Sequence, residues 1–458
     1  MMIDIEELKQ NIIKLAVCGK LTAQNEEEDV EEYLKKCFEF THIQHNLYFD
    51  APFEIPDNWE WMRLEEMASF KLGKTPERGN AEWWEGTIPW ITISDMADKR
   101  VIISTKECVT ETALSNYFGD MVSKKGTLIM SFKLTVGRVS ILGIDAVHNE
   151  AIISIYPYGD SNNIIRDYLK YIIGFMTRYC RKTDAVKGVT LNKEKLKNLL
   201  IPIPPLEEQK RIVDKLDEIF AELDKIDEKQ TRLATIQEKM EAKILKLAIQ
   251  GKLVEQRPEE GTGEELYNSF NLNVFDDIKS EEIPFDLPNN YKWIRLGWVM
   301  DIERGGSPRP IKSYITDSED GINWIKIGDV DKGGKYIYST MQKIKPEGEQ
   351  KSRRVYPGDF LLTNSMSFGR PYISKITGCI HDGWLLLRNS CNAFNLDYLY
   401  LLLSSSYAYE QFSKKASGAT VDNLNKDKVF ESLVPLPPLE EQKRIVAKIE
   451  ELLPLCKG

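Results

Sequence analysis

The sequence predicts two pseudo-symmetric α+β domains with curved sheets, separated by two long antiparallel coiled-coil helices and circularly organised. Three observations carry this expectation. The segment Pro204–Val213 returns unchanged as Pro437–Val446. Residues 206–250 hold a heptad apolar spacing without a single Pro or Gly. The two blocks outside these helices are rich in aromatic and β-branched runs bounded by glycine. Solenoid repeats have periods of roughly 20–50 residues. A match some 232 residues apart is therefore a duplicated unit of domain plus helix.

The elements follow in order. Residues 1–24 match residues 233–256: Lys14–Leu21 reappears as Lys246–Leu253, each copy ending in Gly-Lys-Leu. Residues 1–24 thus read as the N-terminal part of a distal helix, and 434–458 as its C-terminal part. In sequence the chain is a circle cut inside one helix, which predicts that its termini lie close together. Residues 25–54 and 254–286 read as acidic linkers with short helical or strand pieces. Residues 1–55 hold 5 basic and 12 acidic side chains, and 254–286 hold 2 and 10.

The domains are expected over 55–203 and 287–433. In the first, Thr87–Ile93, Thr127–Phe132 and Ala151–Ile155 read as strands. In the second, Asn323–Ile327 and Phe360–Thr363 do so. Amphipathic stretches around Asp167–Thr177 and Asp397–Phe412 read as helices. Residues 204–253 form the central spacer. Pro204-Pro205 precedes its helix and Gly251 suits its end. Ile212, Ile219, Ile226, Leu233, Met240 and Leu247 recur every seven residues, a coiled-coil seam. At 1.5 Å per residue the helix spans roughly 65 Å. Gln230 and Gln237 interrupt the interleaved seam, either to fix register or as tolerated polar positions. Ile445, Ile449 and Leu452, continued by Ile5, Leu8, Ile12 and Leu15, supply the partner seam.

Further anchors recur between the blocks. Trp61 and Arg63 answer to Trp293 and Arg295, Thr75-Pro76 to Ser307-Pro308, and Trp90 and Asp95 to Trp324 and Asp329. Gly137-Arg138 answers to Gly369-Arg370. Between the anchors the halves differ widely, as two readers of two different targets would; duplication followed by drift is the plainer alternative. Two similar halves approximate a two-fold axis, the symmetry of duplex DNA.

The net charge of −10 argues against nucleic acid until it is mapped. Residues 56–200 hold 20 basic and 18 acidic side chains, and 287–433 hold 20 and 16. The large blocks are slightly basic, and local basic surface is what phosphate binding requires. No stretch approaches the ~18 apolar residues of a membrane span, and residues 1–20 carry acidic groups unlike a signal peptide. A cytoplasmic protein without a membrane partner is expected. Seven scattered cysteines without a Cys-x-x-Cys pair indicate neither zinc nor a disulfide framework.

Catalytic signatures are missing from the sequence. Gly19-Lys20-Leu21-Thr22 and Gly251-Lys252-Leu253 lack the glycine spacing of a triphosphate loop and read as helix ends. There is no Asn/Asp-Pro-Pro-aromatic motif for amino methylation. The histidines His42, His45, His148 and His381 have no metal-ligand spacing. His148 and His381 occupy equivalent places, where a repeated structural hydrogen bond at a strand end is favoured over chemistry.

The doubled Pro-Pro-Leu-Glu-Glu-Gln-Lys-Arg-Ile-Val signature, the two differing blocks, the Gly-Lys-Leu after each helix and the Gly-Arg anchors resemble the specificity (S) subunit of type I restriction-modification enzymes. The resemblance covers essentially the whole chain. It implies that each block is a target recognition domain reading one half of a gapped, asymmetric DNA sequence, with the helices setting the gap. It further implies two methyltransferase (M) subunits that bind S-adenosylmethionine and methylate adenine. Two restriction (R) subunits would carry the nuclease and an ATP- and Mg-dependent motor. No cofactor is expected in this chain, which would be non-catalytic.

Arg and Lys to guanine and Asn or Gln to adenine are the common base contacts, and glycine lets backbone approach phosphate. The expected DNA-binding residues of the first domain are Lys71, Lys74, Thr75 and Arg78 in one loop, with Ser131, Lys133 and Arg138 as a second cluster. In the second domain they are Arg304, Ser307 and Arg309, then Lys351, Arg353, Arg354, Asn364, Ser365 and Arg370. Arg138 and Arg370 belong to the shared frame and suit phosphate or structure better than base reading. Two other classes stay open: a coiled-coil protein-interaction scaffold that does not bind DNA, and a standalone restriction-methylation enzyme, disfavoured by the missing motifs.

Overall fold

The computed structural model describes residues 2–31, 33–35, 51–179, 191–272, 277–331, 333–364, 369–413 and 424–457. The chain divides into two compact units, Met1–Thr231 and Arg232–Gly458.

In the first unit, helix α1 (Ile5–Val17) is capped by Asp4, whose carboxylate accepts from the Glu7 N–H, and Glu6 and Glu7 complement its N-terminal dipole. Its end is a Schellman turn: Gly19 sits at φ +65° while the Lys20 N–H reaches the Leu15 carbonyl. Gly251 repeats that turn at φ +66° with Lys252 bonded to Leu247. Both Gly-Lys-Leu segments are thus helix stops.

The strands of this unit are β1 (Glu60–Arg63), β2 (Ala68–Leu72), β3 (Trp84–Ile91), β4 (Arg100–Ile102), β5 (Glu107–Val109), β6 (Leu128–Ser131), β7 (Val139–Leu142), β8 (Val147–His148), β9 (Ile152–Pro157) and β10 (Leu200–Ile203). The main sheet has the order β2-β9-β6-β7-β4, and a smaller one the order β5-β3-β8. Its central strands β6 and β9 are buried runs, which is why they read as continuous apolar stretches. Helix α2 (Ile164–Met176) packs its apolar face into the core, where the Tyr168 hydroxyl donates to the Pro202 carbonyl at 2.8 Å. β1 pairs antiparallel with β10, which leads the chain into helix α3 (Leu206–Ile249).

The second unit repeats the plan. Its strands are β11 (Lys292–Arg295), β12 (Asp301–Arg304), β13 (Ile315–Thr316), β14 (Ile322–Ile325), β15 (Tyr336–Ile337), β16 (Lys343–Ile344), β17 (Arg354–Val355), β18 (Phe360–Thr363), β19 (Pro371–Ser374), β20 (Gly378–Ile380), β21 (Trp384–Arg388) and β22 (Leu433–Leu436). The order β12-β21-β18-β19-β15 reproduces the first main sheet position by position. The smaller sheet, β13-β16-β14-β20-β17, has two more strands than its counterpart. The single helix expected around 397–412 is two, α4 (Leu396–Leu403) and α5 (Ser406–Ser413). Ser405 causes the break: its hydroxyl donates to the Leu402 carbonyl and accepts the Ala408 N–H, capping α5. Helix α6 (Leu439–Lys457) closes the chain.

The repeated signature is a structural lock. Glu208 is buried and accepts hydrogen bonds from Trp59 at 2.8 Å, Gln24 at 2.6 Å and Thr22 at 3.1 Å. Glu441 is buried likewise, accepting from Tyr291 and Asn290 at 2.7 Å and Gln256 at 3.0 Å. The amides of Gln209 and Gln442 donate to the Pro204 and Pro437 carbonyls, closing the turn into each helix. Arg211 grips Glu28 with two 2.8 Å bonds, and Arg444 grips Glu260 with bonds of 2.8 and 2.7 Å. These arginines hold both carboxyls below the usual carboxylate range.

The segments expected to be acidic linkers are, where described, built into the units. Val30 and Tyr33 lie in the first core, and Leu266, Tyr267 and Phe270 pack against the second. Their acidity conceals this, because Glu28 and Glu260 serve as counter-ions inside the lock. Each segment also ends on an aromatic anchor. Phe53 meets Trp61 and Tyr179 edge-on at 5.0 and 5.4 Å, and Phe285 meets Trp293 and Tyr407 at 5.0 and 5.5 Å.

The heptad seam of α3 is buried only in part. Ile212 and Leu216 are fully enclosed, where α1 runs antiparallel to α3. Thr22 meets Glu208, Lys9 meets Asp224 at 2.5 Å, and the Ile3 backbone is clasped by the Gln230 amide at 2.8 and 3.1 Å. Gln230, the polar interruption, thus bonds the backbone just ahead of α1. Beyond this contact Leu233, Ile236 and Met240 stay 55, 43 and 47% exposed. In the second unit Ala248 and Ile249 of α3 share a core with Ile445 and Ile449 of α6.

Candidate functional site

Three loops meet at one end of each main sheet. In the first unit the central strands are ordered β2-β9-β6. The register pairs Leu72 with Ile153 and Ser131 with Ile152. The loop after β2, the loop after β6 and the turn before β9 therefore emerge side by side. Backbone bonds tie them: Gly73 N–H to Ile152, Lys74 N–H to His148 and Phe132 N–H to Ala151. The two clusters expected from sequence, Lys71–Arg78 and Ser131–Arg138, are thus one site.

Gly73 makes the close approach possible. A Cβ there would lie 2.1 Å from the His148 carbonyl and 2.2 Å from that of Asn149. His148 is buried beneath the loop, with Nε2 2.6 Å from the Ser154 hydroxyl. Burial lowers its pKa to about 4, so the ring is neutral at pH 7. Arg78 is exposed, lies over the rings of Trp84 and Trp90 at 4.2 and 4.8 Å, and pairs with Glu107. Lys71 is 3.4 Å from Asp120, Lys74 donates to the Tyr117 carbonyl at 3.0 Å, and Thr75 donates to Glu150. Lys133 lies over the Phe132 ring.

Two residues of this set hold the scaffold. Ser131 is fully buried; its hydroxyl donates to the Thr135 carbonyl and accepts the Arg138 N–H. It is therefore corrected from DNA-facing to structural. The Arg138 guanidinium donates to the Ile93 carbonyl at 3.2 Å and so ties the hairpin base to the adjoining segment.

The second unit places its loops the same way, after β12, after β18 and before β21. Gly305 lies against the His381 carbonyl, where a Cβ would come within 2.2 Å, and Gly306 against that of Lys351 at 2.6 Å. Lys351–Arg354 thereby joins the same end of the sheet. Here the polar groups differ. Ser307 donates to Asp382 at 2.8 Å, Arg309 lies 3.3 Å from the same carboxylate, and His381 Nε2 is 2.9 Å from it. Burial would raise the Asp382 pKa, but Ser307, His381 and Arg309 outweigh it and the net shift is downward. Arg353 pairs with Glu303, Arg354 with Glu349, and Lys351 with the Tyr314 hydroxyl. Arg304 and Arg370 are exposed. Asn364 is corrected to a structural role: it is 4% exposed, and its amide donates to the Asp382 carbonyl at 2.7 Å. Ser365 lies outside the described residues.

Sequence reasoning missed Trp84, Glu107, Glu150 and Asp382. Glu150 lies two residues after His148 and Asp382 directly after His381, so the histidine repeat was the available signal. Among the described residues no group of three His, Cys, Asp or Glu side chains is placed to hold a metal ion, and no helix is long and apolar enough to cross a membrane.

Comparison with known proteins agrees with this layout. The family model described as type I restriction modification DNA specificity domain matches residues 56–237 and 288–455, one copy for each domain. The MjaVIII specificity subunit of Methanocaldococcus jannaschii, a type I restriction enzyme component, is 23% identical over 87% of either chain. The EcoEI specificity subunit of Escherichia coli is 22% identical over 99% of this chain and 89% of its own. The match to the M. jannaschii MjaIX specificity subunit is 24% identical and spans 61% of this chain and 60% of that protein. A solved chain from work on complex assembly and conformational transition of the type I R-M system superposes with a TM-score of 0.61 at 21% identity. It covers 89% of this chain and 93% of the other.

Proposed function

The chain belongs to the type I restriction-modification DNA specificity family, and from that premise we propose that each of its domains reads one half of a bipartite, gapped, asymmetric DNA target. The observation that carries this reading is the pair of matched loop clusters. Both stand at the same end of equivalent sheets, yet one offers Arg78 on two tryptophans and a Thr75–Glu150 pair. The other offers Ser307, Arg309 and His381 around Asp382. A shared frame with different polar groups suits two different half-sites.

In this reading the chain is non-catalytic and cytoplasmic. Two methyltransferase subunits dock along its helices and bind S-adenosylmethionine; two restriction subunits complete the complex and bind ATP and Mg. Docking is supported by the apolar residues left exposed along α3. A cavity of about 520 Å³ in the second unit adds to this. Leu245, Ile249, Phe285 and Tyr407 line it, beside Glu238, Glu241 and Glu410.

The test exchanges residues 56–200 for the corresponding block of another family member and sequences the methylome of cells carrying the chain with its methyltransferase. One half of the methylated motif is expected to change while the other stays. A change in both halves, or no dependence on the chain, would overturn the reading.

A further inference from the structure

The hairpin between β6 and β7 ends on an apolar side chain. Leu134 is 81% exposed, more than Ile103 at 76% or Met341 and Leu455 at 72%. Its φ is +63°, a left-handed conformation that a branched apolar residue seldom adopts. The loop beneath it is not slack. The Ser131 hydroxyl holds the Thr135 carbonyl, the Gly137 N–H bonds the Ser131 carbonyl at 2.9 Å, and Arg138 ties the base to Ile93. Gly137 lies so close to α2 that a Cβ would come within 2.9 Å of the Gly174 carbonyl. A clamped hairpin therefore holds an apolar side chain out in water, in a strained conformation. Outliers of this kind cluster at ligand contacts.

The surroundings identify the ligand. Lys133 precedes Leu134, and Lys74 and Arg78 leave the same end of the sheet across the turn before β9. An apolar tip next to Lys133, at the end of the sheet that also carries Lys74 and the Glu107-paired Arg78, fits a polyanion with apolar faces inside its grooves. Thymine methyl groups and unstacked base steps offer such faces.

We propose that Leu134 enters a groove of the DNA and makes an apolar contact with a base of the half-site read by the first domain, acting there as a specificity-determining residue. The inference rests on the DNA-reading function above. It adds a readout by shape and apolar contact to hydrogen bonding by the Lys71–Arg78 loop.

The experiment uses the full chain with its methyltransferase subunit and three variants, Leu134→Ala, Leu134→Asn and Leu134→Met. Each is assayed for complex assembly, for competition binding to target and random duplexes, and by methylome sequencing. Removing a side chain buried against DNA is expected to weaken target binding on the order of 10-fold. One position of the first half-motif should relax, with the second half unchanged. Leu134→Met should retain most of the binding. Leu134→Asn, which tolerates the left-handed conformation, should lose it, separating side-chain contact from backbone relief. An unaltered motif in Leu134→Ala, equal weakening on random and target DNA, or loss of assembly before DNA is added would each overturn the proposal. A parent complex that methylates no bipartite motif would instead refute the DNA-reading function itself.

Discussion

The indole N–H of Trp59 donates to the carboxylate of Glu208 across 2.8 Å, with both residues buried. In the second unit the same office falls to Tyr291, whose hydroxyl donates to Glu441 at 2.7 Å. A hydrogen bond to a buried carboxylate contributes about 1.5–3 kcal/mol. Tyr291→Phe removes that donor alone and leaves Gln256 and Asn290 in place. It should destabilise the second unit by about 2 kcal/mol, measured as a shift of the denaturant midpoint. Glu441→Ala strands all three donors and should cost more. Equal effects of the two substitutions would show that the carboxylate is not the hub of the lock.

His148 makes the first unit sensitive to acid. Its folded pKa is about 4 because of burial, against roughly 6.5 in an unfolded chain. Between those values the unfolded state takes up the proton and the folded state does not. The stabilisation is fully present above pH 6.5 and is lost as pH falls toward 4, a difference of about 3 kcal/mol. Melting curves from pH 7 to 4.5 should therefore fall more steeply for the parent than for His148→Gln. Parallel curves would mean that the ring is protonated within the fold.

The loop after β2 depends on the missing side chain of Gly73. Gly73→Ala puts a methyl group 2.1 and 2.2 Å from two backbone carbonyl oxygens, so the backbone on one side must shift. A cost of about 1–3 kcal/mol is expected, together with displacement of Lys74, Thr75 and Arg78. Target binding should weaken, and the altered specificity should be confined to the first half-motif. Gly79→Ala, with nothing within 4 Å of its Cβ, is the control and should behave like the parent. Unchanged binding by Gly73→Ala would remove this loop from the interface.

How much of this was legible in the sequence depended on the range of the interaction. The strands β6 and β9 and the helix α3 were readable because burial and heptad packing impose local periods. The helix ends at Gly19 and Gly251 were readable because glycine readily takes the left-handed conformation that stops a helix. The packing of the described part of 25–54 was not, since Glu28 finds Arg211 across 183 residues and composition shows only an acidic stretch. Ser131 and Asn364 were expected to bind DNA as polar members of the loop clusters around Arg138 and Arg370. Only the folded hairpin reveals that their donors are already used. The convergence of the Lys71 and Ser131 clusters needed the strand order β2-β9-β6, which no local pattern encodes.

The middle of α3 separates self-packing from assembly. Leu233 and Met240 repeat the heptad of Ile212 and Ile219, yet they are 55 and 47% exposed. Gln is nearly as good a helix former as Leu or Met, so Leu233→Gln with Met240→Gln leaves the helix intact. Substitutions at such exposed positions usually change stability by within ~0.5 kcal/mol, and the melting temperature of the chain should hold. The same substitutions delete apolar area that a docked helix would cover, at about 25 cal/mol per Å². Size-exclusion chromatography with the methyltransferase subunit should show the complex weakened or lost. A stable variant that still assembles fully would place the docking surface elsewhere, with the cavity beside Phe285 and Tyr407 the next site to test.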